Sequence, residues 1–163
     1  MAPHGSGANM AFRRQAFDEV GMFDPALGVG TATNGGDDTE MFFRVLAHGH
    51  AMVYEPRAII RHRHRRDLAG VERQISGWGT GMYAFLTRAV VAFPRAWWVI
   101  ALLGAYGFAD LLRMLARPAG LPRRLVFTQL RGALAGPFRY FRARSRVREI
   151  EREFGAQQPI TGR

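Results

Sequence analysis

Gly28-Val29-Gly30-Thr31-Ala32-Thr33-Asn34-Gly35-Gly36-Asp37-Asp38-Thr39-Glu40 runs a glycine-rich loop into a cluster of acids. Four of the first nine residues are glycine and three are polar. A loop of that composition suits a place where backbone must move or approach a ligand. Asp37 or Asp38 then caps a helix, and Asp-Asp-Thr-Glu gives its first turn the negative charge that the helix dipole favours. Met41, Phe42, Val45 and Leu46 supply an apolar face, and Gly49 ends the helix. Neighbouring helical residues point roughly 100 degrees apart, so one of the two carboxylates faces a given ligand. A carboxylate held there can take a proton from a hydroxyl. On spacing alone, a plain helix cap is the competing reading.

Upstream, Arg14–Val20 has helical character with Gly21 as its stop, and Met22-Phe23-Asp24-Pro25 reads as a turn. Downstream, the pattern predicts short strands over 51–54 and 58–62, separated by Glu55-Pro56. His62 and His64 fall two apart on the second strand and share a face that can offer imidazole to a metal or a phosphate. Solvated strand-end histidines are the alternative. Neither His48-x-His50 nor His62-x-His64 has a standard zinc spacing, and there is no cysteine for a thiolate site or a disulfide.

The chain has 163 residues, 48% hydrophobic and 22% charged, which permits a packed core and argues against wholesale disorder. Its net charge of +10 is unevenly placed. Residues 1–64 hold six Arg and seven acids, a balance of −1; residues 65–163 hold seventeen Arg and six acids, a balance of +11. Two electrostatically different parts therefore meet near Asp67. The first residues lack the charged start and apolar stretch of a signal peptide.

Five separated elements occur in order: Gly7-Ala8-Asn9-Met10-Ala11-Phe12-Arg13-Arg14, Val20-Gly21-Met22-Phe23-Asp24, Gly35-Gly36-Asp37-Asp38-Thr39-Glu40, Tyr54-Glu55-Pro56, and His62. Together they resemble the C-terminal half of family 2 glycosyltransferases over roughly residues 5–85. The resemblance implies an α/β fold, a partial GT-A (Rossmann-like) domain, and inverting sugar transfer from a nucleotide-sugar donor to an acceptor hydroxyl. It puts the catalytic base on Asp38, with Asp37 where the family usually has Glu. Gly35, Gly36 and Asn9 become substrate-binding residues. His62 falls where some members hold the divalent metal, Mg2+ or Mn2+, on the donor diphosphate, and His64 is the weaker candidate. The family's Asp-x-Asp pair is absent from this sequence, which leads to the expectation of a truncated chain, inert alone.

Residues 1–67 are thus expected to form the back half of a catalytic domain. Residues 68–117 are expected to form a glycine-interrupted helix and an apolar, membrane-associated segment, and 118–163 an Arg-rich helical tail. Positions 89–109 carry one charge and approach the length of a bilayer crossing, with Arg88 and Arg113 at the flanks and Trp97-Trp98 suited to the interface. Pro94-Arg95 and Asp110 favour a kinked or interfacial helix instead. The implied location is the cytoplasmic face of the cell membrane, with an anionic lipid surface and a glycan or lipid-linked, cell-envelope acceptor as partners. A basic module without catalysis, binding membrane or nucleic acid through Arg61 to Arg66 and the final helix, is the alternative. It lacks a reading motif and leaves 89–109 unexplained, so no nucleic-acid partner is expected.

Overall fold

The computed structural model describes residues 7–61, 63, 65–117 and 120–157, with side chains through Phe154. Five α-helices carry the architecture: α1 Arg14–Val20, α2 Asp37–Ala47, α3 Leu68–Ala92, α4 Trp97–Ala116 and α5 Arg123–Gln157.

The expected α/β, Rossmann-like GT-A fold is corrected by this structure. Among the described residues there is no strand and no sheet; the one β-type pairing is an isolated bridge between Gly28 and Gly35. Residues 51–60 leave α2 without regular structure, and Val53, Tyr54 and Ile59 are exposed. Strand propensity reports fit to a half-buried pleated surface. With no neighbouring strand beside residues 51–60, the alternation there has nothing to pair with.

The first helix and its stop form as the sequence predicts. Gly21, at φ +82°, closes α1 by donating its N–H to the Phe17 carbonyl at 2.9 Å. Phe12, Phe17 and Phe23 then pack around Val20, Met41 and Val45, joining α1 to α2. The other flank of α2 sends Phe43 between Phe85 and Phe93, with ring centroids 5.6 and 5.3 Å away. Two apolar flanks of α2 thus grip different neighbours, which fixes both its height and its rotation.

Asp67 starts α3 by accepting the Gly70 N–H at 2.6 Å. Gly77, Gly79 and Gly81 do not interrupt this helix; they are the places where other backbone touches it. A Cβ on Gly79 would lie 2.2 Å from the Gln129 carbonyl of α5, and one on Gly132 would lie 2.4 Å from the Ser76 carbonyl. Gly136 meets the Thr80 carbonyl in the same way at 2.8 Å. The α3–α5 pair is the most extensive helix contact, and glycine lets its backbones approach this closely. The apolar stretch breaks at Phe93, where Pro94–Ala96 makes a single 3-10 turn before α4. The Arg-rich tail expected over 118–163 contains one long helix, Arg123–Gln157, continuous through Pro137.

Substitution at Gly79 separates close packing from helix propensity. Gly79→Ala forces α3 and α5 apart and is expected to cost roughly 1–3 kcal/mol or more. Gly107→Ala, whose new Cβ meets only the Tyr83 hydroxyl at 3.7 Å, is expected to be neutral or to gain up to about 1 kcal/mol from propensity. Thermal melts of both variants against the parent decide the point; equal melting temperatures would remove the close-approach argument.

Candidate active site

The acid-bearing loop is built on glycine contacts with α3. Gly36, at φ +90°, precedes the first turn of α2, and a Cβ on it would come 2.3 Å from the Gly81 carbonyl. A Cβ on Gly77 would meet the Asn34 side-chain amide at 2.8 Å. Thr33 is fully buried; its hydroxyl donates to the Ala26 carbonyl at 3.2 Å and pairs with the Thr31 hydroxyl at 2.8 Å. The loop from Gly28 to Gly36 is therefore seated by hydrogen bonds and by backbone-on-backbone contact. Gly35 and Gly36, read as substrate-binding residues, position the acids by their contact with α3.

Asp37 and Asp38 both sit half-buried in the first turn of α2. Asp38 Oδ2 accepts the Gly7 N–H at 2.9 Å, and its Oδ1 accepts the Thr39 N–H at 2.8 Å and the Thr39 hydroxyl at 3.3 Å. There is no room for a side chain at Gly7, since a Cβ there would lie 2.8 Å from Asp38 Cβ. Asp37 lies against Gly28 and has no hydrogen bond or ion pair to another described residue. The two acids thus diverge: one is oriented by three donors, while the other is left with its lone pairs free.

Asn9 follows directly in the turn Gly7–Asn9, and its side-chain amide donates to the Ala58 carbonyl at 2.6 Å. One short turn therefore ties Asp38 to the segment after α2. His62 and His64 lie outside the described residues. No group of three or more His, Cys, Asp or Glu side chains gathers among the described residues, so no metal site is assembled there.

Sequence reasoning missed a second, buried polar cluster behind the loop. Glu40, in the same acidic run, is 2% exposed and pairs with Arg44 at 2.7 Å. Arg44 also donates to the Val20 carbonyl at 2.6 Å. Arg88 of α3 reaches Asp24 at 2.8 Å and Glu40 at 3.8 Å. The hydroxyl of Tyr140, on α5, donates to Asp24 Oδ2 at 3.2 Å and accepts from Arg144 at 2.8 Å. The four-residue spacing of Glu40 and Arg44 is a local signal that could have been read; the 64- and 116-residue separations from Asp24 to Arg88 and Tyr140 carry none. An open cleft of about 290 Å³ lies over this cluster, lined by Asp24, Arg44, Arg88, Arg144 and Arg148 among others. None of Asn9, Gly35, Gly36, Asp37 or Asp38 lines it.

Residues 1–81 match the family model described as glycosyltransferase like family 2. That segment, about half of the chain, contains Gly7, Asn9, Asp24, the Gly35 to Glu40 run and the α3 glycines that seat it. The chain belongs to the family 2-like glycosyltransferases through it, and glycosyl transfer is its kind of function. No curated protein and no solved structure matches the chain.

Removing one partner from a buried ion pair strands the other charge, so Asp24→Ala is expected to cost roughly 3–5 kcal/mol. Chemical denaturation measures this directly; a loss under about 1 kcal/mol would mean that Arg88 finds another partner.

Tyr140 adds a pH signature. Burial pushes its hydroxyl above the ordinary tyrosine value, against the opposing pull of its hydrogen bond from Arg144. A raised folded-state value means that the folded chain holds this proton more tightly than the unfolded chain does. The contribution is therefore complete below about pH 10 and is lost as pH climbs through the higher folded value. Melting temperature should fall more steeply above pH 10 in the parent than in Tyr140→Phe, and superimposable alkaline profiles would refute this role.

Proposed function

We propose that this chain carries the general base of an inverting sugar transfer from a nucleotide-sugar donor to an acceptor hydroxyl, with Asp38 as that base. The observation that supports the assignment is the fixed aim of its carboxylate: Gly7 and Thr39 hold it at the first turn of α2, within the family-matched segment. Each carboxylate oxygen has two acceptor sites, so a hydroxyl can still approach an oxygen that already accepts from a backbone N–H. Proton removal by Asp38 leaves the acceptor oxygen to attack the anomeric carbon, while the nucleoside diphosphate departs from the opposite face with the bonding pair.

Asp37 stands beside the base with a free carboxylate, suited to a second acceptor hydroxyl. Gly35 and Gly36 set the height of both acids against α3, and Asn9 holds the segment at Ala58 beside them. The reading includes a divalent cation on the donor diphosphate. His62 and His64 are assigned toward it by the family pattern alone, and no step here passes through the ion.

The reading also places the enzyme at the cytoplasmic face of a membrane, acting on a glycan or lipid-linked acceptor. Residues Pro94–Ala116 form a stretch of 23 residues containing an 18-residue window of mean hydropathy 1.6, long and apolar enough to cross a bilayer by length and composition, and 17% of that window is buried.

Asp38→Asn keeps the shape and one acceptor oxygen, loses the hydrogen bond on the other side where an NH2 replaces the oxygen, and removes the basic site. Transfer of labelled sugar from a nucleotide-sugar panel, measured on membranes carrying the protein, is expected to drop by roughly 10²–10⁴-fold. Asp37→Asn is expected to lose less. Equal and measurable transfer by parent and Asp38→Asn at unchanged melting temperature would exclude Asp38 as the base.

A further inference from the structure

The three long helices distribute their residues inside out. Where α3 meets α5, the contact is made by Ser76, Gly79 and Thr80 on one side and by Gly132, Ala133 and Gly136 on the other. Leu125, Val126, Leu130 and Tyr140 of α5 are buried, but four other large apolar side chains point away from that contact: Phe127 is 54% exposed, Leu134 61%, Phe138 79% and Phe141 52%. At helical spacing these four fall within an arc of roughly 60 degrees. On α4, Trp97, Trp98, Leu102, Leu103 and Tyr106 are likewise exposed. Small-residue close packing with large apolar groups turned outward is the pattern that holds helices together where the surroundings are themselves apolar. In water, a patch of this extent calls for something to cover it.

Charge identifies the cover. Arg124, Arg131 and Arg142 flank the apolar arc of α5, and the Arg131 guanidinium lies 6.0 Å from the centre of the Phe127 ring. The part of the chain from residue 65 onward carries a balance of +11, against −1 for the part before it. An apolar surface edged by guanidiniums complements an anionic lipid interface, in which rings enter the acyl boundary and long cationic side chains reach back to phosphates.

The arrangement also sets the orientation. If α5 crossed the bilayer, Arg131 and Arg139, both exposed, would sit in hydrocarbon, which strongly disfavours them. Lying flat, the helix keeps Arg131 and Arg139 out of hydrocarbon with the phenylalanines beneath.

We propose that α5 lies in the plane of an anionic lipid interface, seated by Phe127, Leu134, Phe138 and Phe141 and held on lipid phosphates by Arg131 and Arg142, while Arg124 at the same edge is paired with Glu72 at 2.8 Å. This deepens the membrane reading of α4 and stands or falls separately from it.

The chain has no cysteine, so single nitroxide labels can be placed on the whole protein without other changes. Labels at Phe127→Cys, Phe138→Cys and Phe141→Cys, read by power saturation on vesicles of phosphatidylcholine with phosphatidylglycerol, are expected to report the same shallow depth. A label at Arg146→Cys is expected to report water. A depth that changes steadily from 127 to 141 would mean that the helix crosses, and overturns the proposal. Labels as accessible to water as that at 146, or shielded without lipid through self-association or another polypeptide, overturn it as well.

Vesicle partition gives the second arm. Phe138→Glu with Phe141→Glu is expected to weaken partition about tenfold or more at unchanged helical content, and vesicles of phosphatidylcholine alone are expected to bind the parent more weakly. If only Leu102→Glu with Leu103→Glu reduces partition, α4 alone is the membrane element and the α5 proposal fails. Equal binding to neutral and anionic vesicles removes the role of the arginines and overturns the proposal in the form stated.

Discussion

The ion pair between Asp24 and Arg88 joins the family-matched segment to the helices that follow it. Asp24 sits in the turn after α1 and Arg88 near the end of α3, and they meet at 2.8 Å with both side chains largely covered. Two charges removed from water in this way are held only if their remaining hydrogen-bonding groups are also met. Asp24 satisfies that condition by accepting the Ala26 N–H and the Tyr140 hydroxyl, and Arg88 has a second negative charge, Glu40, 3.8 Å away. Glu40 in turn fixes Arg44, which holds the end of α1 through the Val20 carbonyl. Four elements converge on one polar knot, and α2, the helix that carries the proposed base, is one of them.

A second constraint works alongside the knot and involves almost no side chains. Glycines on α3 face two partners at once: Gly77 and Gly81 receive the loop at Asn34 to Gly36, and Gly79 receives α5. The position of the acids and the position of the tail are therefore set from a single stretch of helix. A shift of α5 along α3 would press on the same backbone that seats Gly36. Coupling between the tail and the acid loop follows from that shared contact, because a close-packed interface of backbone atoms has little slack to absorb a displacement.

Local features were legible in the sequence and non-local ones were not. Helix α1, its Gly21 stop, the turn after it and α2 rest on glycine stops and four-residue spacing, all contained within a few positions, although the cap expected of Asp37 or Asp38 falls instead on Gly36, which makes no side-chain cap hydrogen bond. The strands expected at 51–54 and 58–62 failed because alternation says what a segment could present to a partner and nothing about whether one lies beside it. The glycines of α3 were counted as breakers, the usual effect of glycine in an exposed helix. Here lost propensity is offset by close contact with α5 and with the loop, which only the tertiary arrangement reveals. The acids of the site were visible as a motif. The donors that aim Asp38, Gly7 above all, were not, because a backbone N–H leaves no mark on residue type.

On the two proposals, membrane association and catalysis meet physically in α3. Its Gly77 and Gly81 face the acid loop, its Gly79 faces α5, and Trp78 and Met82 between them are exposed. Successive residues of one helix thus serve the loop, the partner helix and the surroundings in turn, as a period of 3.6 residues requires. On the proposed seating of α5, lipid lies against the outer side of the helix pair, while the loop that leads into the acids lies against α3. A base held by that loop can meet an acceptor hydroxyl that is itself anchored in lipid. The reach needed is then set by rigid helix packing, since the only glycine-rich loop in the path is pinned to the same helix. This gives the inside-out distribution of apolar residues a consequence for chemistry: the surface that would be a liability in water becomes the reference plane from which the base is positioned.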